Sequence, residues 1–559
     1  MKRREFVQAS AAVASGIAML PRRAPGTEGH LAEVLLRGGL VFDGSGASPI
    51  EADVLVVGDQ IADVATRIRR TTSVEISVEG LAVAPGFVDI HSHTDLDLLV
   101  SPLAESKIRQ GVTTEVTGQD GSSIGPWSPE TATRVRERYR ERYGIHLTFS
   151  NLAGFLAQLE RQGTAVNLAS MVGHGTIRAF VIGDENRPAT PEELASMRRL
   201  AEEALASGAC GVSTGLEYVP GGFADLEELV AVAGALRGTG LPYASHMRNE
   251  DDHLAAAVEE ALNVGRLAGV PVQIAHLKAQ GQRNWWKATS ILDMLMAARR
   301  DGIDVAYDRY PYVAYSTGLT SLFPVWARDG GIDGLLRRLA SPDSAVAIER
   351  AVRGKIAQLG SWDAVQITST ADASLDWAVG RRLGALATGR NEEPYALLLE
   401  IIQTDRGRTG MVGFGMSEEN TQAFLTHPLG MICSDGSALA ASGPLASGTP
   451  HPRSFGTFPR VLGLYCRERQ AMPLETAIHK MTAMPARRVG LDGRGLVAPG
   501  AFADIVVFDP TTVADTATFE SPHRYPTGVV HVMVNGELVL RDGDRTAELP
   551  GRVLRPATA

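Results

Sequence analysis

Cysteine is scarce in this sequence, and its three cysteines are far apart. Cys210, Cys433 and Cys466 are the only ones among 559 residues, and no C-x-x-C pair occurs. An odd number of scattered cysteines excludes a disulfide framework and a cysteine-rich zinc module. Cys433 lies two residues before Asp435, but a buried small hydrophobic residue is the simpler interpretation of it.

Long apolar runs and basic patches are also missing. After the N-terminus, no stretch reaches about 18 consecutive apolar residues, so we expect no stable membrane insertion of the mature protein. The net charge is −10, and basic residues are scattered among acids, which argues against a nucleic-acid partner. With 44% hydrophobic residues the composition is ordinary for a globular protein. The length allows a barrel of about 250 residues and an accessory domain.

The N-terminus carries an export-like pattern. Lys2-Arg3-Arg4-Glu5-Phe6-Val7 precedes an Ala-rich apolar run, Gln8 to Leu20, that ends at Pro21. This resembles a twin-arginine signal, because a charged start is followed by an apolar run too short to span a membrane. The usual Ser or Thr before the arginine pair and a clean A-x-A cleavage site are absent. We expect residues 1–28 to be signal and linker, and the protein to be periplasmic or extracellular, or cytoplasmic if the signal does not function.

Short strand-like runs occur near both chain ends. Asp53 to Asp59 alternates apolar and turn residues, and similar runs return at Ala503 to Phe508 and Val530 to Gly536. Each end is too small to form its own core. We therefore predict that residues 29–84 and 495–550 pair into one small β-sandwich domain.

Strand-like and helix-like segments alternate between the two ends. A helix-like Glu227 to Leu236 precedes Tyr243 to His246, and Leu254 to Leu267 precedes Val270 to His276. Such alternation indicates parallel strands joined by helical crossovers, hence a doubly wound sheet or a TIM-like (β/α)₈ barrel. We place this α/β catalytic domain at residues 85–494, and we expect a helical insertion at about 317–427.

The most specific local signal is a pair of histidines after an apolar run. His91 and His93 end Pro-Gly-Phe-Val-Asp-Ile-His-Ser-His, residues 85–93. On a strand, residues two apart face the same way, so both imidazoles point into the barrel. Two neutral imidazoles at the carboxyl end of a barrel strand form half of a zinc site. Paired core or surface histidines are the alternative interpretation.

Three more polar residues end predicted strands. His246 ends Tyr-Ala-Ser-His, His276 ends Gln-Ile-Ala-His, and Asp435 ends Met-Ile-Cys-Ser-Asp before Gly436. Active sites of barrels lie at these strand ends, where an aspartate can bind metal and accept a proton from water. An aspartate that caps the next helix is the alternative. Four histidines at strand ends favour a metal-dependent hydrolase.

These motifs together resemble one enzyme family. From about residue 31 to 545 the chain is similar to the N-acyl-D-amino-acid deacylases (D-aminoacylases) of the amidohydrolase superfamily. The resemblance rests on residues 85–93, Gly-Val-Thr-Thr (111–114), Val-Gly-His-Gly-Thr-Ile-Arg (172–178), Ser-Thr-Gly-Leu-Glu-Tyr (213–218), the His246 and His276 segments, Tyr-Pro-Tyr (310–312), Ser-Asp-Gly (434–436), His-Pro-Arg (451–453), Gly-Thr-Phe-Pro-Arg (456–460) and Pro-Gly-Ala-Phe-Ala-Asp (499–504). It implies hydrolysis of a linear amide of an N-acyl amino acid, with one or two divalent ions, Zn²⁺ foremost.

The resemblance also implies roles for individual residues. Asp435 matches the aspartate that takes a proton from water and returns it to the leaving amine. His246 and His276 match the firmest metal ligands, while His91 and His93 complete a second site. The family commonly has a metal-binding cysteine in Gly-Asn-Cys-Gly, whereas this chain has Gly118-Gln119-Asp120-Gly121. Asp120 as ligand replaces a soft sulfur with a hard oxygen, which should weaken zinc selectivity. A vestigial turn residue is the alternative interpretation of Asp120.

Residues on the substrate side are transferred in the same way. Lys278, Tyr218, Tyr310 and Ser316 occupy positions that hold the substrate carboxylate in the family, and the planar fork of Arg453 can clamp a carboxylate. A carboxylated Lys278 bridging two metals and a surface salt bridge for Arg453 stay open as alternatives. A cyclic-amide or imide hydrolase of dihydroorotase type and a non-catalytic, metal-poor binding homologue are the alternative functions.

Overall fold

The computed structural model describes residues 32–557. The export-like pattern of residues 1–28 lies outside this range. Within it, no helix combines the length and the apolar composition needed to cross a membrane. The strands of the structure position the candidate site.

Eight parallel strands form the central barrel. Their order follows the chain, and the third strand is interrupted at Met171. The strands are Phe87–Asp89, Val112–Thr117, Asn167–Ser170 with Val172–Gly173, Val212–Gly215, Tyr243–His246, Val272–Ile274, Val305–Arg309 and Gly430–Ile432. The last strand returns to the first, because the Asp435 amide donates to the His91 carbonyl oxygen at 2.8 Å and Ser92 pairs in parallel with Gly436. The predicted TIM-like barrel is confirmed.

Helices surround the barrel, as crossover connections between parallel strands require. Leu254–Ala268 illustrates their construction, since the face carrying Val258, Ala261 and Leu262 is buried while the opposite face is exposed. The α-helices of this layer are Asp97–Val100, Glu105–Ile108, Pro129–Tyr143, Leu152–Gln162, His174–Val181, Pro191–Ala206, Leu226–Ala233, Lys287–Arg300, Glu418–Thr426, Arg453–Arg460, Leu474–Met481 and Ala483–Arg488, and Val461–Glu468 is a π-helix.

Strands from both chain ends pair in one nine-stranded sheet. They are Glu33–Val41, Ile50–Val57, Gln60–Ala65, Val74–Ser77, Ala82–Pro85, Ile505–Phe508, Val529–Val534, Glu537–Arg541 and Asp544–Arg545. The two ends join where Ala82–Pro85 pairs antiparallel with Ile505–Phe508. Val54, Val83 and Ile505 belong to a single apolar cluster on one face of this sheet. This β domain is therefore built from both ends of the chain.

The apolar run from Leu81 to Ile90 is divided between the two domains. Ala82–Pro85 belongs to the nine-stranded sheet and Phe87–Asp89 to the barrel, with Gly86 between them. A Cβ on Gly86 would lie 2.2 Å from side-chain atoms of Thr113, so a residue with a side chain does not fit at this crossing. One continuous hydrophobic run thus serves two sheets.

The segment that the sequence predicts as a helical insertion also contains a sheet. Ala314–Gly318, Val365–Ser369 and Gly410–Phe414 form three antiparallel strands. The helices beside them are Gly331–Ala340, Pro342–Leu359, Leu383–Arg390 and Pro394–Asp405. Strands of five residues give too few positions to reveal a two-residue alternation, which is why the sequence pattern did not indicate them.

Candidate metal centre and active site

The four predicted histidines meet at the carboxyl end of the barrel. Ring centroids of His91 and His93 are 5.2 Å apart, those of His91 and His276 4.9 Å, and those of His246 and His276 4.6 Å. Residues separated by up to 185 positions therefore share one site. The geometric expectation that these side chains converge agrees with the structure.

Asp120 lies at the centre of the histidines. Its carboxylate oxygens are 3.4 Å from a ring nitrogen of His91, of His93 and of His276, and 3.5 Å from Nδ1 of His246. Two groups of possible ligands share it, namely His91, His93, Asp120 and Asp435, and Asp120, His246 and His276. Asp120 could therefore serve as a ligand in either group.

Three of the site residues have an unusual backbone conformation. Asp120, His276 and Asp435 have φ values of 53°, 35° and 52°, in the left-handed region that residues other than glycine rarely occupy. Such conformations persist where surrounding structure enforces them, and they cluster at functional sites. Here each of the three residues lies two or three positions beyond the carboxyl end of a strand, where the chain turns at the site.

Two buried polar atoms at this centre have no hydrogen-bond partner among the described residues. His91 Nε2 and Asp120 Oδ1 are buried without a hydrogen bond within the described chain. Buried polar atoms are nearly always hydrogen-bonded, so unpaired ones call for a ligand. Imidazole nitrogens and carboxylate oxygens are donors that divalent metals prefer. The residues present therefore fit a divalent metal.

The electrostatic field at the centre favours positive charge. Burial opposes a charge on the ring of His93, yet hydrogen bonds with Asp120 and Asp435 outweigh it and raise its pKa to about 9. Burial is likewise outweighed at His246, where the charge of Asp120 raises the pKa to about 10. A field that holds protons on imidazoles also attracts a divalent cation, which competes for the same nitrogens.

Three further carboxylates face the outer nitrogens of the histidines. Asp308 Oδ1 is 3.3 Å from Nδ1 of His91, and Glu250 Oε1 is 3.1 Å from Nδ1 of His276. Glu217 Oε2 is 3.4 Å from Nε2 of His246. A carboxylate on the outer nitrogen fixes the tautomer and orientation of a metal-binding imidazole. Sequence reasoning missed all three, although a charged residue on an apolar barrel strand was a signal for Asp308.

Asp435 presents one oxygen to the site and the other to an arginine. Its Oδ1 lies 3.0 Å from Nε2 of His93, while its Oδ2 accepts a hydrogen bond from Nη1 of Arg453 at 2.6 Å. Burial would raise the pKa of Asp435, but the charge of Arg453 and the bond to His93 hold it well below its usual range. The structure thus gives Arg453 a partner within the chain in addition to its place beside the cleft.

The other predicted substrate residues line one small inner cavity. Lys278, Tyr218, Tyr310 and Ser316 surround a space of about 30 Å³, together with Asp120 and Asp435. Lys278 Nζ donates to Glu250 Oε1 at 2.6 Å and lies 2.6 Å from Nδ1 of His276. The hydroxyl of Tyr310 is buried without a hydrogen-bond partner among the described residues. This cavity joins cationic and hydroxyl groups directly to the metal-ligand cluster.

Two residues of the family motifs, His174 and Arg248, have partners outside the metal-ligand cluster. His174 lies 2.7 Å from Glu228, which also pairs with Arg178. Arg248 forms a salt bridge with Glu260 at 3.0 Å. Neither side chain belongs to the groups of possible metal ligands, so their contribution to the site is indirect.

Histidines and carboxylates lie together at the carboxyl ends of the strands of a parallel barrel. This arrangement is typical of metal-dependent hydrolases. The sequence profile of the amidohydrolase family matches residues 74–329 and 427–540. A D-aminoacylase from Alcaligenes xylosoxydans xylosoxydans is 39% identical over 533 residues, which cover 94% of this chain and 98% of the relative. The chain belongs to the amidohydrolase family.

Solved structures agree with this assignment. A structure of D-aminoacylase described as having a binuclear metal centre is 38% identical, covers 93% of this chain and 99% of its own, and has a TM-score of 0.78. N-acyl-D-glutamate deacylase from Bordetella bronchiseptica, solved with zinc and a phosphonate inhibitor, is 32% identical with a TM-score of 0.79 and covers 94% and 100%. The resemblance to the N-acyl-D-amino-acid deacylases is confirmed, and the chain is an enzyme of the kind that hydrolyses linear amides.

Proposed function

We propose that this enzyme hydrolyses N-acyl-D-amino acids to a carboxylate and a free D-amino acid, with divalent metal, foremost Zn²⁺, at the histidine cluster. The main support for the proposal is that residues of that cluster also line the inner cavity, which contains Lys278 and Tyr310. The preference for the D-enantiomer rests on the names of two of the relatives, D-aminoacylase and N-acyl-D-glutamate deacylase.

Two groups of side chains could each hold a metal ion. His91, His93, Asp120 and Asp435 offer one place, and Asp120, His246 and His276 offer the other. A bound divalent ion there would polarise the amide carbonyl and lower the pKa of water. Because Asp120 supplies a hard oxygen, we expect Mn²⁺ and Co²⁺ to compete with Zn²⁺ more effectively than at a thiolate site.

Asp435 is the residue we propose for proton transfer. Its carboxylate lies beside the histidine cluster, within reach of a water molecule bound there, so it can accept a proton from the attacking water. Because Arg453 holds Oδ2, the oxygen turned toward the cluster is Oδ1. The same oxygen then donates the proton to the amine that leaves.

The inner cavity is the proposed place of the substrate carboxylate. Lys278 supplies a charge and Tyr310 a hydroxyl donor, and the space is only about 30 Å³, so it suits a small anionic group. Glu250 partly offsets the charge of Lys278 in the free enzyme. A carboxylate that binds there lies beside the reacting amide, which favours a linear N-acyl amino acid over a cyclic amide.

The direct test is a screen of N-acetyl-D- and N-acetyl-L-amino acids with added Zn²⁺, Mn²⁺ or Co²⁺. We expect release of free amine from the D series only, and loss of activity after a chelator. Turnover of dihydroorotate or a hydantoin without turnover of the acetyl amino acids would favour the cyclic-amide alternative. Purification without stoichiometric metal and no response to metal would favour a binding homologue.

We also propose that residues 1–28 direct export by the twin-arginine route, from the pattern Arg3-Arg4-x-Phe6 and the Ala-rich run. Fused to a reporter, this segment should move the reporter to the periplasm, and replacing both arginines with lysine should abolish the transfer. A reporter that stays in the cytoplasm in both cases would contradict the proposal.

A further inference from the structure

Two large cavities meet above the metal-ligand cluster. One has a volume of about 590 Å³ and the other about 760 Å³, and both are lined by His93, Ser316 and Arg453. They therefore form one cleft with two arms that crosses the centre. We call the cavity that also contains Trp127 and Phe180 the first arm, and the cavity that also contains Ser369 and Arg408 the second arm.

The position of Asp435 indicates which half of the substrate enters each arm. Asp435 lines the inner cavity and the second arm, but among the described residues it is not part of the wall of the first arm. The group that donates a proton to the leaving amine has to lie beside that amine. The amino-acid half therefore lies toward Asp435, and the acyl half extends into the first arm, past Asp120 and Tyr218.

The first arm differs from the second in its aromatic side chains. Trp127 is half-buried in its wall, and Phe180 leaves 44% of its surface exposed. Pro126 and Ala179 extend this apolar part of the wall, while Arg134 and several hydroxyl groups line the rest. Within the described part of the chain, the wall of the second arm contains arginines and hydroxyl groups but no Trp, Phe or Tyr side chain.

The size of the first arm exceeds what a small acyl group fills. Sites of about 300 to 1,000 Å³ bury ligands of drug size. An acetyl group places a single methyl beyond the carbonyl carbon, which leaves Trp127 and Phe180 in contact with water. Apolar surface left exposed within a ligand-binding groove is a common mark of a ligand contact.

We propose that the natural substrate carries a large apolar acyl group, a long alkyl chain or an arylalkyl group, which lies in the first arm against Trp127 and Phe180. This inference rests on the proposed function, because it specifies the acyl half of the same substrate. The acyl group contributes binding energy through burial, and the chemistry at the amide is unchanged.

The first test compares N-acetyl-, N-octanoyl- and N-phenylacetyl-D-leucine on the metal-loaded enzyme. We expect kcat/KM for the two larger substrates to exceed that for the acetyl substrate by about ten-fold or more, since each methylene in an apolar pocket adds discrimination. Equal or higher kcat/KM for the acetyl substrate would overturn the inference and leave the proposed function intact. No hydrolysis of any of the three would instead refute the proposed function.

Two variants distinguish an effect on acyl binding in the first arm from a general effect on folding. Ala179→Trp places bulk on an exposed position of the arm, and we expect it to lower kcat/KM for the octanoyl substrate about ten-fold more than kcat/KM for the acetyl substrate. Phe180→Ser should lower the octanoyl-to-acetyl ratio by several-fold. Trp286→Ala, which removes an aromatic residue that is 73% exposed and outside the cleft, is the matched control. Equal effects of Ala179→Trp on both substrates would contradict the proposal.

Discussion

Two buried charged clusters lie a few residues apart in this barrel, and they differ in how their charges are satisfied. In the first, which we call the lysine cluster, Lys107 Nζ donates to Asp89 at 2.7 Å and to Ser434 Oγ at 2.9 Å, and lies 3.0 Å from Glu115. All of these side chains are fully buried. Asp89 Oδ1 also accepts from the Ser434 amide at 2.8 Å, so the cluster holds the segment that carries Asp435.

The second cluster is the metal centre, where no lysine compensates the central carboxylate. Asp120 is surrounded by imidazoles, and His91 Nε2 and Asp120 Oδ1 lack hydrogen bonds. One cluster contains its own counter-charge, and the other leaves donor atoms for a cation supplied from outside. Glu115 Oε2 in the lysine cluster also lacks a hydrogen bond within residues 32–557, so an unpaired buried atom alone does not distinguish the two clusters. The difference is the counter-charge, because a carboxylate paired with a buried lysine forms a structural ion pair, whereas Asp120 among imidazoles can accept a cation from outside.

The strongest prediction concerns Asp435. Replacing it by Asn keeps the shape but removes the proton acceptor, so kcat should fall by about 10² to 10⁴. Metal content, measured by elemental analysis, should stay, because His91, His93 and Asp120 remain. A variant with kcat within a few-fold of the native enzyme would remove Asp435 from the mechanism.

The lysine cluster should respond in stability instead. Lys107→Met leaves two buried carboxylates without a counter-charge, which should lower the free energy of unfolding by about 3 to 5 kcal/mol. The urea midpoint measures this loss, and Arg198→Met, in an exposed pair with Glu202, is the control with a change of at most about 1 kcal/mol. An unchanged midpoint for Lys107→Met would show that the two clusters do not differ as described.

The carboxylates behind the histidines should affect metal affinity. Asp308→Asn or Glu217→Gln should weaken metal binding by about 10- to 100-fold, since each removes the acceptor that orients a metal-binding imidazole. Competition with a chromophoric chelator measures the change, and the exposed Glu202→Gln should leave affinity unaltered. If all three variants bound metal equally, these carboxylates would have no orienting role.

An ion pair between a barrel loop and the insertion provides the smallest effect, which depends on pH. Burial opposes ionisation of Asp251, but Lys355, 2.7 Å away, outweighs it and lowers the pKa of Asp251 from 3.8 to about 2. Its stabilising contribution is full above the ordinary carboxyl pKa and is lost as pH falls toward 2. The stability difference between native protein and Asp251→Asn should therefore shrink by about 2 kcal/mol from pH 6 to about pH 2. A constant difference over this range would contradict the assignment.

The sequence indicated the metal centre better than it indicated what surrounds it. His91 and His93 follow from a two-residue spacing, and His246, His276 and Asp435 follow from their places at strand ends. Glu217 and Glu250 were not found, because their role depends on which ring nitrogen faces outward, and only the folded geometry fixes that. Asp89 and Lys107 were missed for a related reason, since they compensate each other across 18 residues with no local periodic signal.

The proposed function requires metal binding by the histidine cluster, and metal stoichiometry measures this binding. Apo-protein titrated with Zn²⁺ should bind one or two equivalents, measured by calorimetry and elemental analysis. Replacing His246 and His276 together by alanine should remove the site they form with Asp120, and the first equivalent with it. Unchanged binding in this double variant, with the fold intact by circular dichroism, would contradict the proposed centre.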